Sequence, residues 1–396
     1  MSETVAAGRR ERMPFSLVVA AFWSTFDRFV VTPMLVAIAA GMHARLAEAV
    51  AVASAYFLAY GCLQPAWGML SDRFGRVRML RFALLGALAG GALSALAPSM
   101  TVLLIARVIT GACYGGVNPT AVTYVGDTVP AELVKRALSP FYAAGGVGTA
   151  AGIALGGIIA AAVSWRAGFA LPAIAALVLC LVLRRLPEPA HAAAGNPWQQ
   201  IRTVLRSGWA LLVIGSGFLM GAAVLGCVTF LPALLEHHGH SASVAGLVTA
   251  VFGLSGLAWS LLYNALTRTL PRWALIGIGG VLVVAALLVA SMGARLVTVV
   301  IAAVLLGGGW MFGNSSLAAW AATVLPQVRG TAVALYVTGL FVGGGVAPAL
   351  AAGPVGQGRY STVFLTGAAL AALTTVIATL GDQRFNATRA HDSGNG

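Results

Sequence analysis

Charge is the scarcest property of this chain. Only 9% of its 396 residues are Asp, Glu, Lys or Arg, while 59% are hydrophobic. A soluble domain carries about 25% charged residues, so this chain could not solvate its own surface, and water-soluble folds are excluded. The four cysteines (Cys62, Cys113, Cys180, Cys227) all lie inside apolar runs without framework spacing, which argues against a disulfide-built fold. Histidine offers no catalytic or metal pattern. His237, His238 and His240 have a loosely metal-like spacing without a neighbouring Cys and read as a solvated loop, so no metal site is expected. There is no zinc motif, hydrolase elbow or phosphate-binding loop, and no nucleophile lies beside a base, so the chain is not read as an enzyme. The ten-residue alternation of membrane barrel strands is missing too.

What the chain has instead is long apolar runs. A spanning helix needs about 20 mostly apolar residues. Twelve runs qualify, at 14–40, 47–70, 79–97, 101–127, 137–163, 167–186, 207–235, 243–266, 273–292, 296–324, 330–354 and 359–381. The fold class expected is an all-α membrane protein of twelve transmembrane helices. The polar start, to Arg12, is followed by a run too long for a signal peptide, so no cleavable leader is expected.

The formal charge of +13 could suggest a nucleic-acid partner, but such proteins gather their cations on one face of a soluble scaffold. Here the cations sit in short loops between apolar runs. With the N-terminus in the cytoplasm, 18 of the 24 Lys and Arg fall inside, among them Arg9, Arg10, Lys135 and Arg329. Four fall outside: Arg45, Arg166, Arg295 and Arg359. The bias predicts both termini cytoplasmic. The longest polar stretch, 187–206, reads as a cytoplasmic linker between bundles at 14–186 and 207–381, with a tail at 382–396. Trp198, Ile201 and Leu205 at its end have the spacing of a membrane-surface helix, although a plain solvated linker fits equally.

An internal repeat supports this division. Gly115-Gly-Val-Asn118 continuing to Pro130 matches Met311-Phe-Gly-Asn314 continuing to Pro326 at an offset of 196. Parallel six-helix repeats are the architecture of major facilitator transporters. The loop after run two, Gly68-Met-Leu-Ser-Asp72-Arg73-Phe-Gly75-Arg76-Val-Arg78, closely resembles the signature loop of that superfamily. Arg107-Val-Ile-Thr-Gly111, Asp127 at the end of run four, and Trp165-Arg166 before run six resemble further family patterns. Gly148 to Gly157 on run five resembles the glycine signature of drug–proton antiporters, with Ile153 where that pattern has Pro; the spaced glycines equally suit helix packing. The resemblance covers nearly the whole chain. It implies two six-helix halves around a central cavity, with Gly68, Asp72, Arg73, Gly75, Arg76, Asp127, Gly152 and Gly156 as the gating residues. The counterpart loop of the second half, Asn264 to Arg272, has lost the acid.

Of eleven acids only Asp27 lies near the middle of an apolar span. A charged carboxylate at that depth costs about 2.5–3.5 kcal/mol on insertion scales and needs a partner or a cavity. Arg107 is the expected partner, because helices one and four are neighbours in this family. An acid whose partner moves between conformations can load and release a proton, which makes Asp27 and Arg107 the candidate coupling pair; a static pair that only fixes packing is the alternative. Arg28 is rotated about 100° from Asp27, so both cannot point into one cavity. A cavity with one acid favours cationic or neutral solutes, and one with a free Arg favours organic anions. Candidate cavity residues are Trp23, Arg28, Tyr56, Tyr60, Gln64, Tyr114, Asn118, Tyr142, Trp259, Tyr263, Trp310 and Asn314, although single aromatics equally suit packing.

The function expected is proton-driven export of small amphipathic or organic molecules, as in drug or metabolite efflux, by alternating access. The alternatives are uptake of a metabolite or organic anion by symport or facilitated diffusion, and a non-transporting membrane sensor. No cofactor is expected beyond the proton gradient. The expected partners are a small-molecule substrate, protons and the lipid bilayer, with no nucleic acid. The expected setting is a bacterial inner membrane, as a monomer.

Overall fold

The computed structural model describes residues 12–189 and 196–394. Glu3, Arg9, Arg10, Glu11 and His191, and the side chains of His391 and Asp392, lie outside what is described. Every regular element among the described residues is helical. In hydrocarbon each backbone N–H and C=O needs an internal partner, and a helix supplies all of them within one segment.

Twelve units are long and apolar enough to span a membrane. They are α1 (Phe15–Gly41), α2 (Leu46–Cys62 continued by Gln64–Phe74), α3 (Arg76–Leu96), α4 (Met100–Thr128), α5 (Ala131–Ala162) and α6 (Trp165–Arg185). The second set is α7 (Gly208–His237), α8 (Ala242–Leu266), α9 (Arg272–Ser291), α10 (Leu296–Val324), α11 (Pro326–Gly356) and α12 (Tyr360–Gly394). Helix α2 bends by 46° between its pieces, just before Pro65. Helix α1 tightens into a 3-10 turn at Thr32–Met34, around Pro33, and α7 loosens into a π-turn at Ala222–Gly226 before restarting at Leu231, ahead of Pro232. Proline removes a backbone donor and clashes with the preceding turn, so the breaks fall where proline stands.

Hydropathy located the spans to within a few residues, except where helices run on into polar sequence. Helix α5 begins at Ala131 instead of 137. Helix α12 continues to Gly394, so Asp382 belongs to that helix and is completely buried. The linker ends in a short helix, Pro197–Leu205, whose Asn196 side chain accepts the Trp198 N–H at 3.1 Å. Its Gln200 accepts the Thr331 hydroxyl at 2.6 Å, and Val204 is buried, which ties it to α11. Trp198 points outward, 73% exposed, the arrangement of a surface helix.

Glycine sets how closely the helices approach. Gly148, Gly152 and Gly156 form one stripe on α5, and a methyl group there would lie 2.4, 2.6 and 2.5 Å from the Phe22, Phe26 and Val30 carbonyl oxygens of α1. Gly152 and Gly156, expected as gating residues, lie in this arrangement on the stripe that seats α1 inside the first half. The seam between halves uses other glycines. Gly157 and Gly246 face each other across α5 and α8, and Gly345 of α11 packs on the Ser54 carbonyl of α2.

These seam contacts lie toward the end of the bundle away from the arginine-rich loops. Toward the arginine-rich end, a methyl group added at Gly68 on α2 or at Gly330 on α11 would meet no atom within 4 Å. Gly68, expected as a gating glycine, is partly buried, with room for a methyl group in this arrangement. Both ends of the described chain lie at the arginine-rich end.

Gly152→Val should force α1 away from α5 and cost about 1–3 kcal/mol by overpacking. The check is a lower thermal midpoint in detergent for this variant than for Gly68→Val, which has room for the side chain.

Candidate functional site at the centre of the bundle

Asp27 sits midway along α1 and Arg107 midway along α4, and both are completely buried. Arg107 grips the carboxylate with both ends of its fork, Nη1 to Oδ1 and Nη2 to Oδ2, each at 3.1 Å. Nη2 also donates to the Asp27 carbonyl oxygen at 3.0 Å. Two parallel charge-assisted bonds define orientation as well as distance. Aromatic rings close both faces: the guanidinium carbon lies 4.4 Å from the Tyr56 ring centre and 4.7 Å from that of Phe169 on α6. The Tyr56 hydroxyl and Arg107 Nε have no hydrogen-bond partner.

Arg28 leaves the helix in a different direction. Its Nη2 donates to the Tyr60 hydroxyl at 2.6 Å, and its guanidinium carbon lies 4.2 Å from the Tyr60 ring centre. On its other side, 4.7 Å away, is the ring of Phe341 on α11, in the opposite half. Asn118 Nδ2 donates to the same Tyr60 oxygen at 3.3 Å. Asp27 therefore turns into the first half and Arg28 into the seam between halves. Its neighbour in sequence settles nothing about where each charge goes; the 100° rotation does.

Several expected cavity residues are buried or hydrogen-bonded within the bundle in this arrangement. Tyr56 is completely buried beneath Arg107, and Tyr114 is completely buried with its hydroxyl donating to the Pro172 carbonyl at 3.1 Å. Gln64 is buried where α2 restarts. Tyr60, on the same stripe of α2 as Tyr56 and Gln64, instead meets the Phe341 ring of the second half at 4.5 Å, so helical spacing alone could not separate the covered members from the one at the seam. In the second half, Trp259 donates its indole N–H to the Val304 carbonyl at 2.9 Å, fastening α8 to α10. Tyr263 meets the Ser316 hydroxyl at 3.4 Å, and Asn314 accepts from Tyr336 at 2.8 Å. Trp23 and Trp310 are half-buried. Tyr142 is 62% exposed and lies on α5 between the face that meets α1 and the face that meets α8.

At the arginine-rich end, Arg76 joins three partners. It bonds Asp127 at 2.9 Å, the Ser71 hydroxyl at 3.0 Å, and Asp72. Gly75 takes φ +100°, a conformation that costs a residue with a Cβ, and lets the chain turn between α2 and α3. Arg73, expected in this gate, is instead exposed and lies over the Phe74 ring. A member unforeseen in the sequence is Glu188, from the linker. Its carboxylate accepts the Val77 and Arg78 backbone N–H groups, both at 3.1 Å, at the start of α3. An anion there meets unsatisfied donors and the positive end of the helix dipole.

The second half repeats this arrangement with a different acid. Arg272, at the 196-residue offset from Arg76, bonds Asp382 of α12 at 2.8 Å and the Thr323 hydroxyl at 3.0 Å. Thr323 stands at the same offset from Asp127. The acid missing from the second loop is supplied from α12; the offset pairs Arg272 with Arg76 but gives no signal for Asp382. A separate apolar recess inside this half, among Met220, Ile276, Val283 and Leu317, is lined by no charged group. No group of His, Cys, Asp and Glu that could hold a metal exists among the described residues.

Two helical bundles meeting at a seam, with an ion pair buried mid-span, define a polytopic membrane protein of the transporter class. The family model of the Major Facilitator Superfamily matches residues 17–348 and 233–392, and the chain belongs to that superfamily. Multidrug resistance protein 3 of Bacillus subtilis is 33% identical over 181 residues, which are 45% of this chain and 34% of that protein. Efflux pump dotC of Dothistroma septosporum is 34% identical over 151 residues, 38% of this chain and 26% of its own length. The match thus spans about a third or less of these two relatives. The MFS-type transporter YfhI of Bacillus subtilis is 25% identical across 92% of both chains. Among solved structures, the nucleoside transporter NupG superposes with a TM-score of 0.77 at 14% identity, covering 92% of this chain and 99% of that one. The D-xylose–proton symporter superposes at 0.67 with 19% identity, covering 90% and 96%. At these identities the likeness is one of fold.

Removing one partner of a buried ion pair strands the other and costs about 3–5 kcal/mol. Arg107→Met should therefore lower thermal stability sharply, whereas Asp27→Leu combined with Arg107→Met should recover most of the loss. A double-mutant cycle of melting temperatures checks this, and additive losses would contradict the pairing.

Proposed function

We propose that this chain exports small amphipathic or organic molecules in exchange for protons, by exposing a central site alternately to the two sides of the membrane. The observation that carries this reading is the fully buried Asp27–Arg107 pair at mid-span. Ionisable groups at that depth are retained at a cost, and membrane proteins use them on ion and substrate pathways. When Asp27 takes a proton it becomes a neutral acid, its attraction for Arg107 collapses, and the fork is free to rearrange. When the proton leaves, the bidentate pair re-forms. The unpartnered Tyr56 hydroxyl and Arg107 Nε fit a network with a second arrangement to adopt, since a half-satisfied buried network is costly.

The present arrangement, with the bidentate pair formed, corresponds in this reading to the state in which Asp27 carries no proton. Asp27 is loaded from outside once the far end opens, and the proton leaves to the inside. The arginine-rich end faces the cytoplasm of a bacterial inner membrane by charge bias, and the monomer is the working unit. The Arg76–Asp72–Asp127 and Arg272–Asp382 clusters brace the inner ends of each half during the rocking motion. The efflux direction draws on relatives named as multidrug resistance and efflux proteins.

Asp27→Asn keeps the size of the side chain and removes its titration. In liposomes carrying the purified protein and an imposed pH gradient, this variant should lose gradient-driven flux of the labelled solutes that the wild-type chain moves, while exchange without a gradient persists. Undiminished gradient-driven flux in Asp27→Asn would rule out the coupling role. Wild-type solute movement in the same direction as the proton would favour symport.

A further inference from the structure

The second mid-span cation of the first half, Arg28, has no counter-ion among the described residues, and its surroundings specify what would supply one. Asp27 is fully engaged, because both carboxylate oxygens and its backbone carbonyl are taken by Arg107. Every other carboxylate with a described partner is committed elsewhere: Glu48 to Arg45, Asp72 and Asp127 to Arg76, Glu188 to the start of α3, and Asp382 to Arg272. Glu132 and Glu236 stand at helix ends. Arg28 is only 5% exposed, yet its partners are one neutral phenol oxygen and two aromatic faces, and its Nε has no partner at all. A buried cation in this condition is costly, and an anion with paired oxygens relieves that cost.

The location suits a ligand as well as the charge does. Arg28 and Tyr60 belong to the first half and Phe341 to the second, so the guanidinium lies in the seam that must part during alternating access. One turn further along α2 toward the arginine-rich end, Leu63 is 41% exposed. The Tyr60 oxygen already accepts from two donors, Arg28 and Asn118, which leaves its own hydroxyl proton free to donate. Arg28 and Tyr60 thus offer unused donors, beside the aromatic faces of Tyr60 and Phe341.

We propose that Arg28, with Tyr60, anchors the acidic group of an organic carboxylate whose apolar body packs against Tyr60 and Phe341, so that the substrate class is amphipathic organic anions. This rests on the transport reading above, but binding is measurable at equilibrium without any gradient, so loss of proton coupling and loss of anion recognition are separate results.

The test uses the purified full chain in detergent, with thermal stabilisation and tryptophan quenching as readouts. The probes are benzoate and indole-3-acetate, their uncharged amides benzamide and indole-3-acetamide, and the cation benzylamine. The two carboxylates should stabilise the wild type in a saturable way, at least tenfold more tightly than their amides, and benzylamine should not. Arg28→Gln should abolish the difference between acid and amide, while Arg28→Lys should retain part of it. Equal response to acids and amides, preference for the amine, or an unchanged preference in Arg28→Gln would each overturn the proposal. Should Arg28→Gln fail to fold, the acid-to-amide ratio in the wild type and in Arg28→Lys still decides it.

Discussion

A carboxylate in the middle of a bilayer cannot borrow its counter-ion from water, and the first half of this protein is arranged around that constraint. Asp27 and Arg107 are held on different helices, so the pair fixes the rotation of α1 and α4 relative to each other. Glycines on α5 let α1 come close enough for that rotation to hold, with backbone against backbone. Tyr56 from α2 and Phe169 from α6 then cover the guanidinium, so four helices beyond the glycine stripe contribute to one ion pair. Removing water strengthens the attraction and raises the cost of any imperfect partner. The same exclusion that makes the pair strong makes its protonation consequential.

The two halves share a plan but not a chemistry. At the 196-residue offset, Arg76 answers to Arg272 and Asn118 to Asn314, and both arginines brace the arginine-rich end of their bundles. The positions corresponding to Asp27 and Arg107 are Ala223 and Ala303, both buried. Charge at depth therefore belongs to one half, while the other presents Phe341 to it across the seam. Divergence also moved an acid: Asp127 gave way to Thr323, and Asp382 on α12 supplies the carboxylate. A duplicated bundle can reassign a role to another helix because the partners need only meet in space.

Much was legible before any coordinates. Twelve apolar runs, one mid-span acid, a repeat and a signature loop sufficed for the architecture, since in lipid the backbone has one economical solution per run. The Asp27–Arg107 contact was legible because Asp27 is the one mid-span acid and the family resemblance makes α1 and α4 neighbours. Aromatic stripes were not legible in the same way. Tyr56 and Tyr60 lie one turn apart, yet one is sealed under Arg107 and the other meets Arg28 in the seam.

The amino-acid order thus determined the number of spans, their pairing into two halves and the clustering of cations at one end, because each follows from local hydropathy and charge. Tertiary structure alone decided which face of each helix meets a partner. It placed Gly152 against α1, turned Arg28 toward the second half, and brought Glu188 and Asp382 to helix ends far away in sequence. The reason is physical: a helix periodicity defines a stripe, but only the packing of the neighbouring helices selects whether that stripe meets lipid, protein or the seam.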